Sequence, residues 1–438
     1  MAGRKAVAGA IFSDDVKFEP YWWEAAPRPK LPPAKLPERA DVAIVGSGFG
    51  GLSAALTLAR AGRSVVVFEA GDPGFGASSR NGGMCGGAFK VAFSVLSKRL
   101  GREPAIAIYR DGEAALDYLA QLIEREQIHC HFSRMGRFVG AWAPGHYEAM
   151  AREAELLRRH VGIESDMVAK SEQHAEIGSD AYHGGRVIHR DGGLHPALYH
   201  QGLLERASAA GAVIAANAPV TAIARDDGGF TVTSDRGRIA ARDVIVATNG
   251  YTGRTTPWLR RRLVPLGSFI IATEPLGADV MARLMPKGRM LTDSKKILYY
   301  FRPSPDGSRI LFGGRASHGG DDDERVTGAT LHRFMTGIYP ELADVRVTHS
   351  WSGNVAFTFD RMPHCGMHDG IHYAIGYCGS GVVKATWFGH QIAQRILGQG
   401  VETPLFDAGF PTLPLYGGTP WFLPFVSMYY HLQDRLAR

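Results

Sequence analysis

The chain has 438 residues, of which 45% are hydrophobic and 21% charged, and its formal net charge is +6. This composition excludes a disordered chain, and no apolar run reaches the roughly 18 residues that a membrane-spanning helix needs. The mild positive charge favours anionic small ligands, and no basic module of the kind that binds nucleic acid is present. The length predicts two or three domains and leaves the oligomeric state open.

The cysteines and histidines predict neither a disulfide framework nor a metal site. The four cysteines are widely spaced and form no CxxC pair, and the start of the chain lacks the apolar segment of a secretory signal. We therefore expect a cytoplasmic protein. His129 and His131 would share one side of a strand, but two ligands are too few for a structural metal.

The first segment in chain order, residues 1–39, is predicted to be a leader outside the domains. Six prolines between residues 20 and 39 disfavour helix there. The aromatic run Tyr21, Trp22 and Trp23 is expected to strap this leader to the body.

A strand, a helix and a second strand follow the leader and predict a βαβ unit with parallel strands. Residues 41–45 have the apolar run of a buried strand. Residues 50–61 have helical spacing and end before Gly62, and residues 64–68 form the next strand.

The later elements alternate between helical and strand-like segments. Helices are predicted at 104–126, 146–159, from Pro196 onward, and at 382–397. Strands are predicted at 213–216, 220–223, 230–233, 243–248 and 371–376. Between residues 263 and 355, strand-like runs separated by turns indicate a mostly antiparallel sheet, at 269–272, 298–302 and 309–312. The fold class is therefore α/β, with a parallel-sheet domain and an α+β domain.

The junction of the first strand and helix carries the pattern G-x-G-x-x-G of a dinucleotide-binding turn. The tight turn, the close approach of backbone to a pyrophosphate and the packing of helix on sheet each require a glycine, and the helix N-terminus offers N–H groups to phosphate. Glu69 ends the next strand and is placed to accept hydrogen bonds from ribose hydroxyls, which favours NAD or FAD. The predicted contacts are Gly46, Ser47, Gly48, Phe49, Gly50, Gly51, Glu69 and Ala70.

A glycine- and serine-rich segment just after Glu69 favours FAD over NAD as the bound dinucleotide. Its small residues allow backbone to run beside a flat ring, and its serine hydroxyls can bind phosphate oxygens. The segment consists of Gly76, Ala77, Ser78, Ser79, Arg80, Asn81, Gly82 and Gly83.

Together these motifs resemble the glycine/D-amino acid oxidase (DAO) family of flavoproteins, whose members carry a G-x-G-A-S-x-R-N-G-G element of this kind. Residues 195–198, 247–250 and 376–382 fit three further segments of that family in order. The 299–302 segment and the aromatic tail are similar to those of its bacterial amine oxidoreductases, of the γ-glutamylputrescine- and L-pipecolate-oxidising type.

The resemblance implies a discontinuous FAD-binding domain of Rossmann-like, glutathione-reductase type and an α+β substrate domain with a mostly antiparallel sheet. The FAD domain would comprise residues 40–100, 186–258 and 356–400, the substrate domain residues 101–185 and 259–355, and the tail residues 401–438. Further FAD contacts implied by matched position are Val220, Thr248, Asn249, Gly250, Gly379, Ser380, Gly381 and Val382. The helix beginning near Val382 would direct its positive end at the flavin edge that becomes negative on reduction.

Departures from relatives with covalent flavin favour noncovalent FAD. No cysteine stands in the segment around Trp351, and no histidine stands beside Ser79. Cys378 is expected near the ring and keeps covalent attachment open as an alternative. The lysine that assists oxygen activation in sarcosine oxidases is matched near Leu311, so the electron acceptor stays open among oxygen, a quinone and a carrier protein.

Tyr300, Arg302 and Trp351 are the predicted substrate-side residues. Tyr300 and Arg302 lie two apart on a strand and share one face. There Arg302 would clamp a substrate carboxylate with two hydrogen bonds, and Trp351 would pack beside an amine. The alternative is a surface arginine next to a core tyrosine. His364 is interpreted as a packed or exposed loop residue rather than a flavin contact.

The predicted function is FAD-dependent oxidation of a C–N bond in a small-molecule amine or amino acid, in which a hydride passes to the flavin and the imine hydrolyses. Two alternatives stay open. One is a flavin dehydrogenase of the same fold that acts on a hydroxy acid, and the other is a non-catalytic nucleotide-binding protein.

Overall fold

The computed structural model describes residues 11–315, 323–401 and 403–436. Residues 1–10 of the predicted leader and residues 402, 437 and 438 of the predicted tail lie outside this range. Among the described residues, no helix has both the length and the apolar character to cross a membrane.

The elements alternate along the chain between strands and helices. In chain order the strands are β1 (Phe12–Lys17), β2 (Arg39–Val45), β3 (Val65–Phe68), β4 (Met84–Cys85), β5 (Arg137–Gly140), β6 (Asp166–Val168), β7 (Gly185–Ile188), β8 (Gly192–Gly193), β9 (Val213–Ala215), β10 (Val220–Asp226), β11 (Gly229–Ser234), β12 (Gly237–Val246), β13 (Val264–Thr273), β14 (Met290–Asp293), β15 (Tyr300–Pro303), β16 (Ile310–Gly314), β17 (Val347–Phe357), β18 (His364–His368) and β19 (Ile371–Ile375). The α-helices are α1 (Trp22–Ala25), α2 (Phe49–Arg60), α3 (Phe93–Leu100), α4 (Arg102–Arg125), α5 (Pro144–Val161), α6 (Pro196–Ala209), α7 (Pro257–Arg260), α8 (Ala278–Leu284), α9 (Glu324–Thr336), α10 (Gly381–Ile396) and α11 (Leu423–Leu436).

One sheet is built on the predicted βαβ unit. Its parallel strands run in the order β9, β3, β2, β12 and β19, and β10 and β11 extend it from β12 as an antiparallel meander. In register, Val42 of β2 pairs with Val65 on one side and with Asp243 on the other. All four residues of β3 are buried, as expected for an apolar strand covered on both faces.

Helices α2, α4 and α10 cover one face of this sheet and share its apolar core. Leu52, Leu119 and Phe388, one from each helix, are buried there. A Cβ at Gly389 of α10 would overlap the Gly50 carbonyl oxygen of α2, so this helix crossing requires glycine. Helix α4 falls in the segment predicted for the substrate domain, yet it packs in the same core as the first sheet.

The second sheet has nine strands in the order β1, β17, β13, β16, β15, β14, β5, β7 and β6. Its parallel pairs are β1 with β17 and β14 with β5, and its other pairs are antiparallel. The predicted mostly antiparallel sheet is therefore confirmed. Its core includes Phe301, Phe312 and, from α9, Leu331.

Three segments differ from the sequence predictions. The leader contains strand β1 and the single-turn helix α1, because Trp22 packs into a buried cluster in spite of the nearby prolines. Strand β12 ends at Val246 rather than Thr248, since the chain turns there into a 3₁₀ helix at Asn249–Tyr251. Residues 128–132 form no strand, so the strand placement assumed for His129 and His131 is wrong.

Candidate active site

The loop after β2 opens at the carboxyl edge of the parallel sheet, where the order of strands reverses. The Gly46 N–H donates to the Phe68 carbonyl oxygen at 2.8 Å, and the Ala247 N–H, just after β12, donates to the Val45 carbonyl oxygen at 2.9 Å. Loops that diverge from such a switch point leave a crevice in which parallel sheets bind their ligands.

The early glycine loop, residues 46–51, has the geometry of a pyrophosphate-binding turn. Gly46 has a φ of +103°, and a Cβ at Gly51 would overlap the Gly46 carbonyl oxygen, so both positions require glycine. A Cβ at Gly48 would lie 2.9 Å from Ser78 Oγ. Gly48 is also the N-cap of α2 and supplies no side-chain cap, which leaves this helix N-terminus suited to an anion.

Glu69, at the end of β3, lies beside the early glycine loop. Its Oε2 accepts hydrogen bonds from the Ser47 N–H at 3.1 Å and the Ser47 hydroxyl at 2.6 Å, and its Oε1 accepts from the Gly71 N–H at 3.3 Å. On the other side, His200 Nε2 lies 2.7 Å from the Ser47 carbonyl oxygen. The carboxylate is therefore held at the turn, and its contact with a ribose stays a prediction.

Residues 76–83 pack directly on the early glycine loop. Ser78 Oγ accepts from the Phe49 N–H at 3.0 Å, so its own O–H remains to donate to a ligand. Ser79 is buried, and its hydroxyl donates to the Gly74 carbonyl oxygen instead. Asn81 closes the segment, because its side chain accepts from the Gly83 N–H at 2.7 Å.

The late glycine loop, residues 376–382, is tied to the end of β12. Asn249 Oδ1 accepts from the Gly376 N–H at 2.9 Å, and a Cβ at Gly250 would lie 2.9 Å from the Asn354 carbonyl oxygen. Gly379 has a φ of +95°, and the position of its absent Cβ faces open space. Ser380, the N-cap of α10, forms no side-chain cap bond, so Gly381 and Val382 begin a second helix whose N-terminus is suited to negative charge.

Val220 begins β10, and Thr248 follows the end of β12. The Val220 carbonyl oxygen accepts from Thr255 Oγ1 at 3.1 Å, and Thr248 Oγ1 lies 2.8 Å from Thr252 Oγ1. The Ala218 N–H, two residues before Val220, donates to the Glu69 carbonyl oxygen at 2.8 Å. A backbone hydrogen bond thus connects the residues just before β10 with Glu69.

The site fits FAD on its own geometry. Two uncapped helix N-termini, those of α2 and α10, supply donors for a pyrophosphate and for an electron-rich ring edge. Glycine at position 379 leaves open space that a side chain would fill. The Glu69 carboxylate and the Ser78 hydroxyl add the polar contacts that a dinucleotide needs.

Cys378 lies in the late glycine loop, but its thiol is engaged within the protein. Its Sγ donates to the Gly376 carbonyl oxygen at 3.2 Å and lies 3.4 Å from Thr358 Oγ1. Burial raises the pKa of this thiol to about 11. The thiolate that would attack a flavin is therefore disfavoured.

Tyr300 and Arg302 share one face of β15, as predicted, but their surroundings differ. The Tyr300 hydroxyl lies 2.8 Å from Ser268 Oγ, and burial raises the pKa of this phenol to about 12. The Tyr300 ring packs against Gly82. Arg302 is 3% exposed, and its Nη1 donates to the carbonyl oxygens of Leu194 at 2.7 Å and Gly82 at 3.3 Å. Arg302 is thus not a surface residue, and it supports the end of the 76–83 segment.

Trp351 and His364 are buried in packed clusters. The Trp351 indole N–H donates to the Arg80 carbonyl oxygen at 2.8 Å, and its ring belongs to the same cluster as Trp22. His364 stacks on Phe410 with ring centroids 3.9 Å apart, so it is packed as expected, but it begins strand β18 and the loop placement is wrong. Within the described part of the chain, no group of three or more His, Cys, Asp and Glu residues is arranged to hold a metal ion.

Sequence reasoning missed two residues that support the site from other elements. Trp23 Nε1 donates to Ser79 Oγ at 2.8 Å, and the Arg80 guanidinium lies 4.7 Å from the Trp23 ring centroid. The aromatic run indicated a strap but not its target. Lys384 of α10 is 1% exposed, and its Nζ donates to the Ala88 carbonyl oxygen at 2.9 Å. No sequence pattern distinguishes this buried cation from a surface lysine.

Comparison with known proteins shows that this chain is similar to FAD-dependent oxidoreductases. The family profile of FAD-dependent oxidoreductases termed DAO matches residues 41–395. The probable oxidoreductase OrdL of Rhizobium meliloti (strain 1021) is 33% identical to this chain, over 94% of this chain and 97% of that protein. The gamma-glutamylputrescine oxidoreductase of Escherichia coli (strain K12) is 32% identical, over 91% of this chain and 93% of that protein.

Solved structures share the fold. Glycine oxidase from Geobacillus kaustophilus superposes with a TM-score of 0.70 at 23% identity, covering 86% of this chain and 99% of that one. L-proline dehydrogenase from P. horikoshii has a TM-score of 0.70 at 18% identity, covering 90% of this chain and 99% of that one. The similarity therefore extends over the whole fold rather than over the glycine motif alone.

Proposed function

Because the chain belongs to the DAO family of FAD-dependent oxidoreductases, we propose that it oxidises the free amine end of a γ-glutamylated amine. FAD-dependent oxidation of a C–N bond in an amine or amino acid is its general activity. The finer substrate class is supported by one observation, the 32% identity with gamma-glutamylputrescine oxidoreductase over 91% of this chain and 93% of that protein.

The chain's own contribution to the reaction is binding and orientation. When bound, FAD accepts a hydride from the carbon next to the amine nitrogen, and the imine that forms hydrolyses in water. The backbone N–H groups of the early glycine loop would hold the central pyrophosphate of the cofactor, and those of the late glycine loop would hold its flavin ring. The second sheet would then hold the substrate carbon next to the flavin ring. This task requires correct placement of the substrate and no acid–base side chain.

The cofactor contacts predicted from the sequence are proposed to hold FAD noncovalently. The engaged, protonated thiol of Cys378 and the open space at Gly379 support this arrangement. Tyr300 is proposed as a substrate-side residue, because its ring lies against Gly82 of the segment that borders the cofactor.

Arg302 and Trp351 are proposed to act mainly by positioning that segment. They donate hydrogen bonds to the carbonyl oxygens of Gly82 and Arg80, respectively. The carboxylate clamp predicted for Arg302 stays a prediction, although a guanidinium that is 3% exposed presents little surface to a substrate.

Anaerobic reduction of the bound flavin tests the substrate class. The holoenzyme is mixed without oxygen with γ-glutamylputrescine, pipecolate or sarcosine, and the visible absorbance of the flavin is followed. We expect γ-glutamylputrescine to reduce the flavin fastest. Reduction by pipecolate or sarcosine alone would replace the proposed substrate class.

The electron acceptor is proposed to be oxygen or an electron carrier. Leu311, matched to the oxygen-activating lysine of sarcosine oxidases, is an apolar side chain buried in β16. Hydrogen peroxide formed per substrate consumed, measured beside reduction of an artificial dye, separates the two acceptors. The four buried free cysteines support the proposal that the enzyme works in a reducing compartment, the cytoplasm.

A further inference from the structure

The C-terminal helix α11 lies on the body with polar groups on its inner side. Ser427 is buried. The Asp434 carboxylate accepts hydrogen bonds from the backbone N–H groups of Lys296 at 2.8 Å and Ile297 at 3.1 Å. The Trp142 indole N–H donates to the Asp434 carbonyl oxygen at 3.2 Å. These contacts determine which side of the helix faces the body and which side faces outward.

The outward side of α11 is an apolar stripe. Its side chains follow the three- and four-residue spacing that puts them on one face of the helix, and each is 55–78% exposed. The apolar stripe consists of Trp421, just before the helix, and Phe425, Met428, Tyr429, Leu432 and Leu436. Since a surface helix of a globular protein usually turns such a face toward the core, this arrangement indicates contact with an apolar partner outside the chain.

The loop before α11 adds two exposed apolar side chains, Leu413 and Leu415. On either side of them, the Thr412 and Tyr416 hydroxyls donate hydrogen bonds to carbonyl oxygens of residues 261–263, the latter at 2.7 Å. Because the loop is anchored at both positions, Leu413 and Leu415 extend away from the body, and Leu415 is fully exposed.

The tail that carries these side chains is uncharged over most of its length. No Asp, Glu, Lys or Arg stands between Asp407 and Asp434. Asp407 accepts a hydrogen bond from the Met367 N–H at 2.8 Å, and Asp434 is engaged on the inner side of α11. The outward surface from Leu413 to Leu432 therefore carries no carboxylate that would repel an anionic partner.

Basic residues of the body lie against the tail near the start of α11. A Cβ at Gly418 would lie 2.5 Å from Arg260 Cγ, so Arg260 is in direct contact with the tail. Phe359 packs against Phe422 with ring centroids 6.3 Å apart, which brings Arg361, two residues later in the chain, close to the same place. The Arg361 side chain is exposed.

The border of the apolar stripe has a positive net charge. The body segments that contact the tail are residues 260–262, 294–297 and 359–361. They contain six basic residues and one acid, Asp360, whose carboxylate lies 3.1 Å from His364 Nε2. One of the six, Lys295, is buried and pairs with Asp293 at 3.2 Å. The other five basic residues remain at the border of the stripe.

Charge complementarity decides which partner fits this surface. In a two-fold dimer the same patch of each copy meets itself, so the basic border of one copy would face that of the other, and like charges repel. A bilayer with anionic headgroups instead offers negative charge to the basic border and an apolar interior to the stripe.

We propose that the apolar stripe and the loop before it dock this enzyme on a lipid bilayer with anionic headgroups. Tryptophan and tyrosine side chains favour the boundary between headgroups and acyl chains, and the leucine, phenylalanine and methionine side chains enter the apolar side of that boundary. Arginine and lysine at the border bind the headgroup phosphates. This docking goes beyond the proposed reaction and does not depend on which amine is oxidised.

Cosedimentation of the holoenzyme with lipid vesicles tests this proposal. Vesicles of phosphatidylglycerol and phosphatidylethanolamine supply an anionic surface, and vesicles of phosphatidylcholine alone supply a neutral one. The stripe variant combines Phe425→Gln with Leu432→Gln, and both side chains are exposed, so the fold does not depend on them. The matched control is Val326→Gln, which changes an exposed apolar side chain of α9.

We expect the wild type and Val326→Gln to bind the anionic vesicles equally, and the stripe variant to bind them at least roughly tenfold more weakly, since two large apolar side chains no longer leave water. Arg261→Gln combined with Arg361→Gln should weaken binding to the anionic vesicles by roughly fivefold for each cation. Added salt should release the wild type from these vesicles. Absence of wild-type binding, wild-type affinity in the stripe variant, or binding insensitive to salt would overturn the inference.

Sedimentation velocity without lipid distinguishes the bilayer from a second copy of the chain. We expect the wild type and the stripe variant to have the same oligomeric state, because the stripe is not the contact between copies. A wild-type oligomer that dissociates in the stripe variant would show that a second copy covers the stripe, and the bilayer proposal would then be wrong. Flavin content per protein, measured in the same samples, should be equal in all variants.

Discussion

The cofactor side and the substrate side of this molecule are built in different ways. The cofactor side consists mainly of backbone, with two glycine loops and two helix N-termini, to which the Glu69 carboxylate and the Ser78 hydroxyl are added. The proposed substrate side consists of side chains, among them Arg302 and Trp351, whose hydrogen-bond partners lie 220 and 271 positions away in the chain. Backbone sites are specified by short motifs, whereas side-chain sites exist only after the sheets have come together.

The largest expected effect comes from adding a side chain to a glycine of the early glycine loop. In Gly51→Ala, the new Cβ overlaps the Gly46 carbonyl oxygen, so the early glycine loop has to move. Such overpacking costs roughly 1–3 kcal/mol and displaces the N–H groups aimed at the pyrophosphate. We expect the purified variant to contain less than about a tenth of the wild-type flavin, measured as absorbance at the flavin band per protein, because phosphate contacts of this kind dominate anchoring.

The matched control is Gly145→Ala at the start of α5, where a Cβ meets nothing within 4 Å. This variant should keep its flavin. Wild-type flavin content in Gly51→Ala would show that the early glycine loop does not hold the cofactor, and the contrast between the two sides would fail.

A smaller effect is expected at the leader strap. Trp23→Phe keeps an aromatic ring beside Arg80 but removes the N–H that donates to Ser79 Oγ at 2.8 Å. A hydrogen bond of this kind contributes about 1 kcal/mol, so the dissociation constant for FAD should rise roughly fivefold. Titration of apoprotein with FAD, followed by quenching of flavin fluorescence, measures it.

Trp421→Phe is the control for the strap, because Trp421 is 69% exposed in the tail. Its FAD affinity should match the wild type. If Trp23→Phe also binds FAD with wild-type affinity, the leader packs on the body without supporting the cofactor segment.

The effect that is smallest at neutral pH is a pH dependence of stability at His195, the N-cap of α6. Burial lowers the pKa of His195 from 6.5 to about 4. Between these two pH values, His195 is protonated in the unfolded chain and neutral in the folded chain. The free energy of unfolding therefore falls as pH falls, by at most about 1.4 kcal/mol per pH unit for one group. Above pH 6.5 the effect is absent.

His195→Asn keeps a side-chain acceptor at the N-cap of α6, which His195 now provides to the Leu198 N–H at 3.2 Å. Denaturant unfolding at pH 7, 5.5 and 4.5 should show a shallower loss of stability in this variant than in the wild type. The exposed His174→Asn should leave the slope unchanged. Identical slopes in wild type and His195→Asn would contradict the buried, neutral state of His195.

Much of the cofactor side could be predicted from the sequence because its signals are local. The apolar run before Gly46, the glycine spacing and the acid at Glu69 lie within one βαβ unit, and the structure places Glu69 beside Ser47 of that turn. The late glycine loop was located by resemblance alone, since its contact with Asn249 joins residues that lie 127 positions apart.

The substrate side could not be predicted in the same way. The alternation of β15 correctly put Tyr300 and Arg302 on one face, but the carbonyl oxygens that Arg302 binds lie 220 and 108 positions away. The rule that prolines exclude helix was wrong at α1, because burial of Trp22 is a tertiary effect that local propensity does not contain.

The central claim is that one FAD molecule extends from the early glycine loop to the late one, and a crystal structure of the holoenzyme tests it most directly. We predict pyrophosphate oxygens within hydrogen-bond distance of the backbone N–H groups of residues 48–51, and the pyrimidine edge of the flavin ring at residues 379–381. A cofactor bound with either loop left without contact would contradict this account.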